Sequence, residues 1–106
     1  NYISEVTEES YEKELSDDCL KLLCESILEA FRQFQVYLMA QNVYVEKAYI
    51  KYGFALEKGT RIKKVLSLQN DISLNLGVAI QINVNYEKSN IETIIPKKYL
   101  YERYMR

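Results

Sequence analysis

Leu20, Leu23, Cys24, Ile27, Ala30, Phe31 and Phe34 recur at steps of three and four, and then the helical period stops. Such spacing makes one continuous apolar stripe on a helix, and a stripe of this kind must be buried against something. It predicts a helix from Asp17 to about Gln33. Ser16 is suited to cap it, and Asp17 and Asp18 stand where the helix dipole favours negative charge. Lys21, Glu25, Glu29 and Arg32 take the opposite, solvated face. The next stretch, "VYLMAQNVYVEKAYIKYGFAL", has no helical stripe and is rich in Val, Tyr and Ile. Alternation at Val43 and Val45, and again at Ala48, Ile50, Tyr52, Phe54 and Leu56, predicts two strands. They run over about Val36–Val43 and Tyr49–Leu56, with a bend around Val45–Lys47. A helix stripe followed at once by strands confines the chain to folds that lay helices on a sheet.

The remainder fits that frame. "EKGT" carries the glycine of a turn, and Ser67 is placed to cap a second helix whose first turn begins as early as Ile62. Leu68, Ile72 and Leu76 share one face of it, and Gly77 is placed to end it. "VAIQINVNY" alternates as a strand with one dry face, "EKSN" turns the chain, and "IETIIP" gives a last strand ended by Pro96. The expected fold class is α+β: two helices packed on a mainly antiparallel four-stranded sheet, in the order helix-strand-strand-helix-strand-strand. The 106 residues suit one domain. Residues 1–15 read as an acidic lead-in arm, extended or helical, residues 16–98 as the domain, and residues 99–106 as the start of a linker. The chain reads as a piece of a longer protein.

Charge and chemistry narrow the function. The net charge is −1, so the chain as a whole is not a basic nucleic-acid binder. With no histidine, the commonest general base and metal ligand is missing. No G-x-x-x-x-G-K-[ST] loop is present to grip a nucleotide, and Ser67, Asp71 and Ser73 have no base to activate a hydroxyl. No catalytic and no metal-binding residues are therefore assigned. Cys19 and Cys24 lie five apart within the first helix, which rules out a mutual disulfide unless the helix breaks. Reduced, half-buried core thiols are expected, and with them a cytoplasmic setting. No apolar run approaches the length of a membrane span. The 10 tyrosines read mainly as half-buried sheet residues. Tyr99, Tyr101 and Tyr104 with Lys97, Lys98 and Arg103 would suit either stacking on single-stranded nucleic acid or docking on a neighbouring domain.

One stretch remains. After the turn glycine Gly59, "GTRIKKVLS" interleaves charge with apolar residues, and Lys58, Arg61, Lys63 and Lys64 stand against Glu57 alone. Two readings are open: a salt-sensitive contact with phosphate, or a solvated loop.

The stretch "ALEKGTRIKKVLSLQNDISLNLG" resembles the domain that precedes the motor in the FtsK/SpoIIIE family of DNA translocases. The family pattern is a "TRYE"-like strand end followed by "P-x-x-G-V-K-V-S-K-I-x-N-L-x-x-D-I-A-L-A-L". Ile50, Lys51, Tyr52 and Gly53 stand in place of the "TRYE" residues, and Gly59 matches the family's glycine. Thr60, Arg61, Ile62, Lys63, Lys64 and Val65 follow in the "VKVSKI" positions, and Leu68, Asp71, Ile72, Leu74 and Leu76 in the next. Further on, Lys88, Ile91, Ile95 and Pro96 fall in register with "P-I-P-G-K-x-x-V-G-I-E-I-P-N", Lys97 replacing the final asparagine. Glu46 and Lys47 replace a Gly-Pro, and Val84, Asn85, Tyr86 and Glu87 replace "PIPG", which marks a divergent member. The resemblance implies a non-catalytic accessory domain of an ATP-driven double-stranded DNA translocase, helping ring assembly and DNA passage. Its implied partners are duplex DNA, bound weakly, its own motor domain and neighbouring subunits. ATP and magnesium would belong to the motor, with no cofactor in this part. Lys58, Arg61, Lys63 and Lys64 then become contacts to DNA or to a neighbouring subunit. The alternative is a protein-interaction module of a mobile-element or defence system, with no DNA contact.

Overall fold

A computed structural model describes residues 15–103. The predicted first helix is α1, Asp17–Arg32. The Ser16 hydroxyl accepts from the Cys19 amide at 3.1 Å, which satisfies one of the open donors of the first turn. Leu23, Ile27, Ala30 and Phe31 are buried along its stripe. The helix ends on a left-handed residue, Gln35 (φ 59°). The Val36 amide reaches back to the Phe31 carbonyl at 3.1 Å, and this closes the last turn. Val36 is buried in that cap, so the strand expected from Val36 starts two residues later.

The strands are β1 (Leu38–Val45) and β2 (Tyr49–Leu56), which pair antiparallel with a bulge between Ala40 and Asn42. Two short helices follow, α2 (Ile62–Ser67) and α3 (Gln69–Leu76). The predicted second helix is thus broken at Leu68. Ser67 does not cap α3: its hydroxyl donates back to the Lys64 carbonyl at 2.7 Å. The apolar face is as expected, with Leu68, Ile72 and Leu76 all buried. Gly77 closes α3 in the left-handed region (φ 75°). Then come β3 (Gln81–Asn85) and β4 (Asn90–Pro96). The sheet order is β1-β2-β4-β3, every neighbouring pair antiparallel. The expected α+β class is the class that forms.

The chain continues as α4 (Lys97–Arg103), where a linker was expected from Tyr99. Leu100 is buried in the core, half-buried Tyr99 packs against it, and Lys97 is buried as well. The Lys97 amide bonds the Ala48 carbonyl at 2.9 Å, which ties α4 to the β1–β2 turn. The lead-in arm, apart from Leu15, lies outside the described residues.

The core lies between the helices and one face of the sheet. Ile50, Tyr52 and Phe54 of β2, Ile82 of β3, and Ile91, Thr93 and Ile95 of β4 supply the sheet side. Leu23, Ile27, Phe31, Val65, Leu68, Ile72 and Leu76 supply the helix side. The Tyr52 hydroxyl donates to the Leu20 carbonyl at 2.6 Å and so fastens α1 to β2. Cys19 and Cys24 are reduced, half-buried thiols, and burial pushes both above their ordinary range. Among the described residues no helix is long and apolar enough to cross a membrane.

Candidate nucleic-acid interface

The basic run lies where the chain leaves β2 and climbs into α2. Leu56 ends β2, and the Thr60 amide bonds the Glu57 carbonyl at 3.0 Å to close a turn. Gly59 holds φ 90° in that turn, a conformation that penalises any side chain. Arg61 is extended at the mouth of α2, and α2 is anchored by Val65, fully buried, and by half-buried Ile62. With Ile62 and Val65 turned to the core, Lys63 and Lys64 are left outside. Lys58, Arg61, Lys63 and Lys64 are all exposed, and none of them makes an ion pair within the described residues. The structure therefore brings these four positive side chains to one exposed corner of the molecule. Uncompensated like charges this close along the chain repel one another, and an anion brought to that corner relieves the repulsion.

A second positive feature was not visible in the sequence. On the sheet face away from the helices, Lys51 and Lys88 hold their ammonium groups 5.0 Å and 4.9 Å from the centre of the Tyr44 ring. Lys88 also donates to the Tyr44 hydroxyl at 2.7 Å, and that bond is the main cause of its raised pKa. Lys51 lies 3.7 Å from Glu92, which in turn accepts from Asn85 at 3.2 Å. Tyr44 and Lys88 are 44 residues apart, and only the strand register brings them together. Tyr52 is buried, as expected of a sheet tyrosine, whereas Tyr37 and Tyr86 are exposed. Of the C-terminal group, Lys98 lies over the half-buried Tyr99 ring at 5.1 Å.

Among the described residues no three or more His, Cys, Asp or Glu side chains gather in a way that could hold a metal ion. An open concavity of about 820 Å³ borders β3 and is lined by residues that include Asn83, Asn85, Tyr86, Glu87 and Glu92. It holds carboxamides and carboxylates but no nucleophile paired with a base.

Helix, paired strands, helical segment and paired strands make an α+β domain with a cationic corner at its second helix. The family model described as FtsK alpha domain matches residues 3–96, and the chain belongs to that family. No curated protein matches the sequence.

Proposed function

We propose that this domain is the non-catalytic coupling element of an FtsK/SpoIIIE-like, ATP-driven translocase of double-stranded DNA, acting in ring assembly and DNA passage. ATP and magnesium are handled by a motor domain, the partner this domain serves together with neighbouring subunits. Lys58, Arg61, Lys63 and Lys64 contact the phosphate backbone. The observation that carries this reading is the exposure of all four cations without an ion pair in the described residues, in a chain of this family. Such a corner binds phosphate through counterion release and carries no sequence information.

The test is fluorescence anisotropy with a labelled duplex over a salt series. Binding should be weak and should fall steeply with salt. Replacing Arg61, Lys63 and Lys64 by glutamine should make the log–log salt slope shallower by about 2 to 3, at roughly 0.9 for each phosphate no longer neutralised. Lack of affinity even at low salt, or a slope unmoved by the triple replacement, overturns the DNA contact.

A further inference from the structure

β1 is an outer strand of the sheet, and its outer edge meets no other strand among the described residues. The Glu46 amide bonds the Tyr49 carbonyl at 2.9 Å, which fixes the alternation of the β1–β2 ladder. Tyr44 and Asn42 then turn their backbone groups toward β2. Val43 and Val45 turn theirs outward, where no described strand meets them. The side chains of Val43 and Val45 point to the helix side, opposite Tyr52 and Ile50, and yet remain 42% exposed. Val43 lines a groove of about 220 Å³ between α1 and this edge. Leu20, Cys24, Ala40, Val43 and Tyr52 give it apolar walls, and Lys21, Gln41 and Asn42 complete the lining. The opposite face of the same edge carries Tyr44 with the ammonium groups of Lys51 and Lys88 beside its ring.

A fifth strand laid along β1 would meet both environments at once. Side chains alternate across a strand, so those on one face would enter the apolar groove and those on the other would stand beside Lys51 and Lys88. The outward amides and carbonyls of Val43 and Val45 would supply the ladder bonds. The far edge is partly capped at its start. The Ile82 amide of β3 is held by the Gln69 carboxamide at 2.8 Å, and the Ile80 amide by the Ser73 hydroxyl at 3.1 Å. Exposed edges of this kind are usually blunted by charge, by a bulge or by a covering element, and β1 has the bulge between Ala40 and Asn42 but no charged residue of its own and no cover among the described residues.

We infer that β1 is a docking edge for an extended segment of a partner protein in which apolar and acidic residues alternate. The apolar residues fill the groove between α1 and β1, and the carboxylates pair with Lys51 and Lys88. This surface is separate from the corner of Lys58, Arg61, Lys63 and Lys64, so the two fail independently.

The probe is a short blocked peptide of alternating glutamate and valine, titrated into the 15N-labelled chain and followed by amide shifts. Saturable shifts centred on Val43 and Val45 are expected, and a lysine–valine peptide should bind roughly tenfold more weakly because it opposes the same cations. Val43→Pro removes an amide that bonds nothing inside the sheet, so it should keep the fold by circular dichroism and lose the peptide. Lys51→Gln with Lys88→Gln should weaken the glutamate peptide and leave the apolar contact, bringing the two peptides closer in affinity. Absence of saturable shifts up to roughly millimolar peptide overturns the inference. So does equal binding of both peptides. Slow exchange of the Val43 and Val45 amides in the free monomer would show the edge already covered by its own chain. Concentration-dependent dimerisation abolished by Val43→Pro would show it covered by a second copy, and either result also overturns it.

Discussion

Gly53 shows how a single missing side chain shapes the outer sheet face. The carboxamides of Asn42 and Asn90 lie over it, and Asn90 donates to Gln41 at 2.7 Å across the bulge of β1. A Cβ at this position would run into the Asn42 side chain and approach the Asn90 amide nitrogen to 3.1 Å. Gly53→Ala should therefore destabilise the fold by about 1–3 kcal/mol, read as a lower thermal midpoint. Tyr52 makes a second prediction at this scale. Burial, helped by the nearby Cys24 and Cys19, raises its phenol well above the ordinary 10.0. The folded state therefore keeps its proton after the unfolded state has lost it, and this contribution is intact below pH 10.0 and drains away as the pH climbs past it. Tyr52→Phe should cost about 1 kcal/mol at neutral pH, through the missing bond to Leu20, and should show a smaller further loss between neutral and strongly alkaline pH. Chemical denaturation at several pH values measures both. Neither role could be read from the sequence. The period identifies Tyr52 as a strand residue but not its reach to a carbonyl 32 positions away.

Among the elements, those with a strong period were legible and those set by local caps were not. The stripe of α1 and the alternation of β2 and of Gln81–Asn85 in β3 appear in the chain almost as written. The break between α2 and α3 does not, because Leu68 is apolar on the same face as Ile72 and Leu76 whether or not the helix pauses there. Lys97 carries a charge and follows a proline, both marks of a chain leaving the fold, yet it is fully buried at the start of α4. Ile72→Ala should cost about 2–5 kcal/mol by opening a cavity, whereas Leu74→Ala, on the same helix but 84% exposed, should change stability by under about 0.5 kcal/mol. A urea titration of the two variants gives the comparison. At the end of α1, Gln35 occupies a left-handed position that costs a side-chain-bearing residue about 1 kcal/mol or more. Gln35→Gly should return part of that, a gain of up to about 1 kcal/mol after the added freedom of the unfolded chain is subtracted. The midpoint of thermal unfolding should rise accordingly.

For the molecule as a whole, the α+β class and the family were both legible, because "GTRIKKVLSLQNDISLNLG" keeps its register on the family pattern. The cationic corner was legible as a run of charges, and the structure adds that all four side chains face outward. The Tyr44, Lys51 and Lys88 cluster was hidden, since it exists only once β1, β2 and the β3–β4 turn are assembled. Because the corner carries no ion pair in the described residues, the Arg61, Lys63 and Lys64 glutamine replacements should leave thermal stability within about 0.5 kcal/mol. Weaker DNA binding by that variant then reports on the missing cations and not on unfolding. The sheet, finally, has two unlike margins. One has its first amides capped by Gln69 and Ser73, and the other offers Val43 and Val45 to whatever comes alongside. Strand addition is therefore unequal at the two sides, and any self-association in concentrated solution should run through β1 first.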